Sequence, residues 1–397
     1  MNNKDMVNYP FKFSKISGRL IRRINRFVVE VEVEGCKEEA YLANPGRLWE
    51  LFLPGTELLL SSDLSRGKMP YTVLACLKEG RQILLHTHLT NQVIRNLIDN
   101  HRLTLFKDYK VVRGEPACGR VRLDLLLKHH STGADYYLEV KSCTLFAGRV
   151  AMFPDAVTKR GADHLCKLKE LSNAGVKTGC LFVVMDPGTD YFLPAYHIDS
   201  SFASVFREVQ DQVQLNAVAL GFDPAFSEVE TIKPLQIPFG FLDSELQDRG
   251  VYLLLIRIED EKTIAVGGLG QKGFERGYYV YVGSAKRGLS KRVARHTRKR
   301  KRKRWHVDYL VAEADKVAPV SIMSSDQLEC KLAESLQNIA DHFVKGFGSS
   351  DCRCESHLYY FAENPLQNLL FIEMIQYYRI MRLERKLIHN NSLKKDG

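Results

Sequence analysis

The chain has 397 residues, with 57 Lys and Arg against 47 Asp and Glu and a net charge of +10. That length predicts two or three domains, and 45% hydrophobic residues suit globular cores rather than a disordered or fibrous chain. The longest apolar runs, such as 251–256, are far too short to cross a bilayer, the first residues lack the apolar core of a signal peptide, and nine cysteines in so long a chain read as reduced thiols, so a cytoplasmic location without membrane association is expected.

Residues 27–33 alternate apolar and acidic, as a half-buried strand does. Further short strands are predicted at 39–42, 56–60, 71–77 and 81–86, with turns at Pro45-Gly46, Pro54-Gly55 and Glu79-Gly80. About five short strands in ninety residues fit a small barrel or sandwich, and an oligonucleotide-binding barrel is one candidate. Arg19, Arg22, Arg23 and Arg26 beside Phe27 either follow a phosphate backbone or form a solvated basic edge.

A helix is expected at 91–100, followed by a hairpin. Its strands are 121–127 and 136–140, about a turn at 129–133. Asp124 and Glu139 are symmetric about that turn and face each other in such a register, with Cβ atoms roughly 5 Å apart. Lys141, two residues beyond Glu139, points to the same face. Two acids and a lysine on a hydrophobic hairpin fit a divalent cation and an attacking water; a cross-strand salt bridge is the alternative.

Helices at 156–174 and 201–212 and strands at 177–185 and 213–220 complete a mixed sheet with flanking helices. Residues 221–248, with Pro224, Pro234 and Pro238 and little periodicity, read as a linker. A strand at 251–258 and a hairpin-like stretch ending at 278–283 follow, then a basic helix, a strand at 305–311 and a helix at 326–340. Between Lys286 and Arg304 there are twelve Lys or Arg and no acid. Lys299, Arg300, Arg302 and Arg304 in this run are candidate phosphate contacts, since such a run repels itself unless it meets an anionic partner.

The Asp124 and Glu139-Val140-Lys141 pattern resembles the PD-(D/E)XK nuclease core. Together with Asn44-Pro45-Gly46-Arg47-Leu48 and the 153–165 stretch from Phe153-Pro154-Asp155 to His164-Leu165, it resembles the sugar fermentation stimulation protein A family over roughly 13–222. The resemblance implies an oligonucleotide-binding-like barrel and a nuclease-like α/β domain that binds DNA. It makes Asp124 and Glu139 the metal ligands, for Mg2+ or Mn2+, and Lys141 the catalytic residue that orients the attacking water or stabilises charge. Glu115 is an auxiliary acid on this reading. Asp155, Thr158, Arg160 and His164 face the site, and Arg47 and Arg160 join Arg19, Arg22 and Arg23 as nucleic-acid contacts. Val121-Arg122-Leu123-Asp124-Leu125 departs from the family's Ser-Arg-x-Asp-Phe, which removes a hydroxyl but keeps the Arg and Asp.

Gly250-Val251-Tyr252 and Tyr281-Val282-Gly283 resemble the two halves of a GIY-YIG nuclease signature. Arg292, His296, the Trp305-His306-Val307-Asp308-Tyr309 stretch and Glu329 follow in the order that suits a one-metal phosphodiesterase. Residues 250–362 resemble the domain of unknown function 123 branch of that group. The resemblance implies catalytic roles for Tyr252, Tyr281, Arg292 and His296, and metal binding by Glu329. Cys352, Cys354 and His357 leave two readings open: a structural Zn2+ site completed by Cys330 or His342, or reduced cysteines packed beside a hydrogen-bonded histidine. The second reading is preferred, because C-x-C is not the usual spacing.

The expected architecture is α+β and multidomain. It comprises an OB-like barrel at 1–90, a PD-(D/E)XK-like α/β domain at 91–222, a linker at 223–248, a GIY-YIG-like α/β domain at 249–364 and a terminal helix and tail at 365–397. The expected function is divalent-metal-dependent hydrolysis of phosphodiester bonds in DNA or RNA. A non-catalytic DNA-binding regulator of sugar metabolism genes is the alternative.

Overall fold

A computed structural model describes residues 12–64 and 67–392. The expectations drawn from the first residues and from the last five residues of the tail lie outside the described residues. One compact unit runs up to Phe239 and takes back the chain from Ile380; the other is Gly240–Arg379. No helix among the described residues is long and apolar enough to cross a membrane.

Six strands open the first unit: Ile16–Arg23, Val28–Val33, Cys36–Leu42, Glu57–Ser61, Tyr71–Lys78 and Arg81–Leu84. The third pairs in parallel with the fifth, Ala40 opposite Tyr71, and this ladder closes five strands into an OB-like barrel. Alternation drives the closure: Val29, Val31 and Val33 are buried with Leu20, Leu42, Leu58 and Leu60, while Glu32 is exposed. Ile16–Arg23 is a strand although it reads as a basic segment. A bulge between Leu20 and Arg22 breaks the alternation that would reveal it.

Arg23 is not available to a phosphate. Its Nε, Nη1 and Nη2 donate to the carbonyls of Asn25, Gly46, Arg47, Arg26 and Asn44 at 2.6–3.2 Å. All five guanidinium donors are thereby used inside the fold. The same Asn-Pro-Gly-Arg loop is held from the other side by Asp155, which accepts from the Arg47 N–H at 2.6 Å and the Leu48 N–H at 3.0 Å. Asp155 therefore ties two motifs together.

After the helix Thr87–Asp99, a six-stranded mixed sheet forms. Its order is Val229–Leu235, Gln214–Phe222, Lys177–Val184, Asp135–Cys143, Leu125–His129, Tyr109–Gly114. The three central strands from Gln214–Phe222 to Asp135–Cys143 run parallel and are rich in buried Val, Leu and Phe. Val229–Leu235 corrects the expectation of a linker. Pro234 is tolerated because this is an edge strand.

The second unit has an antiparallel sheet in the order Lys316–Met323, Gly250–Ile258, Gly277–Ala285, Leu358–Phe361, His342–Phe343. The helix Leu289–His296 packs on the three strands at one end and Glu329–Gln337 on Gly277–Ala285. Residues 306–313 form a helix, not the expected strand. Val307, Leu310 and Val311 are buried at helical spacing, and Asp308 caps the first turn by accepting from the Arg304 and Trp305 N–H groups at 2.9 and 3.2 Å.

Asp308 is fully buried and anchors the basic run. It also accepts from Arg295 through two bonds of 3.1 and 2.9 Å and from His296 at 3.1 Å, with Lys301 at 3.3 Å. Burial opposes its charge, but the His296, Arg295 and backbone donors outweigh it and hold the carboxyl well below its ordinary value.

Two stability predictions follow from these anchors. Asp155→Ala should lower stability by roughly 1–3 kcal/mol, the cost of two unsatisfied N–H groups in a half-buried loop. A denaturation midpoint equal to that of the wild type would show that Arg23 holds the loop unaided. Folding depresses the Asp308 pKa, so its contribution is complete above the ordinary carboxylate value of about 4 and declines as pH falls through the lower folded-state value. The stability gap between wild type and Asp308→Asn should be widest near neutrality and narrow, by up to about 1.4 kcal/mol per pH unit, as pH falls from the ordinary carboxylate value towards the lower folded-state value. A gap insensitive to acid would remove Asp308 from this role.

Candidate active sites

The first site sits where the hairpin meets the parallel sheet. Leu125 pairs with Leu138 and Leu126 with Tyr137, so the next pair out is Asp124 with Glu139, the register that the symmetric spacing predicts. Asp124 is half-buried; its Oδ1 accepts from Asn91 Nδ2 at 2.7 Å and its Oδ2 from the Val140 N–H at 2.8 Å. Glu139 is 2% exposed. Its Oε1 accepts from Lys141 Nζ at 2.5 Å and contacts His164 Nδ1. Its Oε2 is buried with no hydrogen-bond partner among the described residues.

His164 is oriented from behind. Arg160 Nε donates to His164 Nε2 at 3.2 Å, which leaves the ring proton of a neutral imidazole on Nδ1, facing Glu139. Both come from the helix Lys159–Asn173, whose N-cap Thr158 accepts from the Gly161 N–H at 3.0 Å. Thr158 therefore builds the helix end that presents Arg160 and His164. Glu115 adjoins Asp124, to whose carbonyl its N–H donates at 2.9 Å, and its exposed side chain pairs with Arg122 at 3.7 Å.

The electrostatics separate the two acids. Burial and the neighbouring Glu139 push Asp124 up to about 6, against the Val140 N–H, Lys141 and Asn91. Burial also acts to raise Glu139, but His164 and Lys141 outweigh it and leave the carboxyl below its usual value. Lys141 stays above its ordinary value because Glu139 outweighs its burial. Asn91 carries no signal in the sequence, since a polar residue in a helix reads as a solvated position.

The second site is a cleft in the other unit. Tyr252, Tyr281, Gly283, Ser284, Arg292, His296 and Glu329 line it, with Arg304, Trp305 and Asp351 at its wall. The register sets Tyr252 opposite Gly283 and Leu254 opposite Tyr281, so the two tripeptides lie side by side. Any Cβ at Gly283 would sit 2.5 Å from Tyr252 Cζ, which makes glycine obligatory under that ring. Tyr252 also stacks on His296, with ring centroids 5.7 Å apart.

Glu329 opens the helix Glu329–Gln337, and its Oε2 accepts from Ser284 Oγ at 2.5 Å. Arg292 donates to the Ser284 carbonyl at 3.1 Å and lies over the Trp305 ring at 5.5 Å. Burial raises both Tyr252 and Tyr281 above the ordinary phenol value, so both hydroxyls stay protonated at neutral pH. Burial lowers His296, against the pull of Asp308.

The candidate phosphate contacts divide into two groups. Lys299, Arg300, Arg302 and Arg304 are exposed, as is Arg19 near Glu57 at 3.8 Å. Arg22 pairs with Glu30 at 2.9 Å, Arg47 lies 5.0 Å over the Trp49 ring, and Arg160 is turned to His164. Beside the second cleft, one ligand atom each of Cys330, Cys352, Cys354 and His357 lies within 4.8 Å of the others, a group able to hold a metal ion. His342 is not part of it and stacks on Tyr360, centroids 4.4 Å apart.

Comparison with known proteins gives each region a counterpart. Residues 21–85 match the SfsA N-terminal OB domain, 88–226 the Sugar fermentation stimulation protein RE domain, and 251–379 the Domain of unknown function DUF123. The sugar fermentation stimulation protein homolog of Moorella thermoacetica is 34% identical over 235 residues, 58% of this chain and 99% of that protein. The homolog of Thermoplasma acidophilum is 34% identical over 209 residues, 52% of this chain and 86% of that protein. The structure of Pyrococcus furiosus SfsA in complex with Ca2+ matches at 27% identity with a TM-score of 0.52, covering 56% of this chain and 96% of that one. The chain belongs to the sugar fermentation stimulation protein family and carries a DUF123 domain after the family's OB and RE domains.

Proposed function

We propose that the chain is a divalent-metal-dependent nuclease that hydrolyses phosphodiester bonds in DNA or RNA and has two separate phosphodiester-directed sites. The Asp124–Glu139 pair carries the reading. A buried carboxylate oxygen without a donor, Glu139 Oε2, is costly to maintain, and a cation beside it offsets that cost. The donor set fits Mg2+ or Mn2+, which take hard oxygen ligands. Each Asp124 oxygen has accepted one hydrogen bond and keeps a second lone pair. The Ca2+ bound in the Pyrococcus furiosus relative agrees with a cation-binding family.

Asp124 and Glu139 would hold the ion. When bound, it supplies Lewis acidity and lowers the pKa of coordinated water. The chain's own groups do the rest. Lys141 sets a positive charge beside Glu139, suited to orient the attacking water or to offset charge on the phosphate. His164 and Arg160 hold Glu139 in place, and Asn91 and the Val140 N–H hold Asp124.

In the second cleft, Glu329 would hold a single cation. Tyr252 and Tyr281, kept protonated by burial, orient water rather than abstract its proton. Arg292 is placed to offset charge on the transferred phosphate. The exposed Lys299, Arg300, Arg302 and Arg304 bind backbone phosphates without sequence preference. One observation favours the alternative, a DNA-binding regulator that does not cut: three of the four carboxylate oxygens at the first site are already hydrogen-bonded within the chain.

The purified chain, incubated with single- and double-stranded DNA and RNA, should cleave in Mg2+ or Mn2+ and not in chelator. Glu139→Ala and Glu329→Ala should each lower cleavage at their own site by on the order of 100-fold or more. Loss of all cleavage in only one of them identifies the working site. Tight, salt-sensitive binding with no metal-dependent cleavage of any substrate would reject the nuclease and support the regulator. Gly283→Ala should displace Tyr252 and abolish cleavage at the second cleft while circular dichroism stays native; full activity in this variant would remove the tyrosine from the chemistry.

A further inference from the structure

We propose that Cys330, Cys352, Cys354 and His357 form a zinc site, and that His357 couples this zinc to Glu329. The four ligand atoms lie within 4.8 Å of one another. Cys352 Sγ is 3.4 Å from His357 Nε2. Tetrahedral zinc, with Zn–S near 2.3 Å and Zn–N near 2.0 Å, spaces such a pair about 3.5 Å apart. Soft thiolates select zinc over magnesium, and a closed set of three cysteines and one histidine is a structural rather than a catalytic donor set.

The ligands come from three places in the fold. Cys330 is on the first turn of the helix Glu329–Gln337, Cys352 and Cys354 lie in a loop, and His357 precedes the strand Leu358–Phe361. The loop ends are already fixed: the His357 N–H donates to Phe347 O and the Gly346 N–H to Glu355 O, both at 2.8 Å. All three thiols are free. Disulfide pairing among three sulfurs would leave one over, whereas a metal uses all three.

The histidine faces two ways. Its Nε2 points to the thiols, and its buried Nδ1 has no hydrogen-bond partner among the described residues and lies 3.7 Å from Glu329 Oε1. Metal on Nε2 forces the proton onto Nδ1, towards that carboxylate, the arrangement in which a zinc-bound histidine is braced by an acid. The zinc would therefore join the helix start that carries Glu329 to the loop that carries Asp351, and both line the second cleft. His357 is a positioning residue for Glu329. The zinc site stands without the nuclease reading; only the coupling rests on it.

The test uses the full chain. Elemental analysis after purification should find one zinc per chain. Cys330→Ser and Cys354→Ser should lose it, and Cys36→Ser, an exposed cysteine elsewhere, should keep it. Cobalt substitution should give the strong visible bands of a tetrahedral thiolate site. A metal-free chain, or a disulfide among these cysteines in the native protein, overturns the site whatever the cleavage assays show. For the coupling, imidazole 15N spectra of the zinc-loaded chain should show Nε2 metal-bound and Nδ1 protonated; the opposite assignment overturns it. In a Glu139→Ala background, His357→Cys, which retains a fourth ligand, should weaken Mn2+ binding at the second cleft by about 10-fold or more. Retained zinc with unchanged Mn2+ affinity rejects the coupling and leaves the zinc site standing.

Discussion

A carboxylate removed from water stays charged only where donors surround it, and both units of this chain are arranged to meet that condition. In the second unit Asp308 gathers two side-chain bonds from Arg295, one from His296 and two backbone N–H groups. Arg295 and Lys301, both within the basic run, pair with this one carboxylate. In the first unit Glu139 draws in Lys141 and His164, and Asp124 draws in Asn91 and the Val140 N–H. The difference lies in what is left over. Both Asp308 oxygens accept bonds from within the chain. Glu139 keeps one oxygen unmatched among the described residues, which is the capacity the proposed cation would use.

The same contrast sorts the arginines. Arg23 and Arg22 are neighbours on one strand, yet Arg23 is enclosed by five carbonyls and Arg22 lies outside on Glu30. An arginine whose fork is filled by backbone is a structural bolt; one whose fork meets solvent is available to an anion. The Asn-Pro-Gly-Arg loop owes its shape to that bolt and to Asp155 across from it. Motifs that look like ligand contacts in a linear reading can therefore serve to hold each other.

Much of the first site is legible without coordinates. The symmetric placement of Asp124 and Glu139 about a turn predicts their pairing because a hairpin admits few registers, and Lys141 follows from the two-residue period of a strand. Asn91 is not legible: it reaches Asp124 from a helix distant in sequence. His164 and Arg160 are intermediate, since the motif marks them but only the helix position shows that Arg160 Nε reaches the imidazole. The misread strand at 305–311 has a local cause. Its aromatic and branched residues favour strand by composition, while the capping acid Asp308 and the buried spacing of Val307, Leu310 and Val311 impose helix.

Composition, alternation and motif spacing determined four of the five closed barrel strands, the carboxylate hairpin and the two tripeptides at 250–252 and 281–283, because each depends on contacts close in the chain or on a strict two-residue period. Tertiary structure decided where the polar capacity of each side chain ends. It closed the barrel through a parallel ladder between Cys36–Leu42 and Tyr71–Lys78, turned a proline-bearing linker into an edge strand, and brought Cys330 to Cys352, Cys354 and His357 while leaving His342 aside. Those outcomes depend on partners far apart in sequence, and no local pattern specifies which of several candidate donors arrives at a given atom.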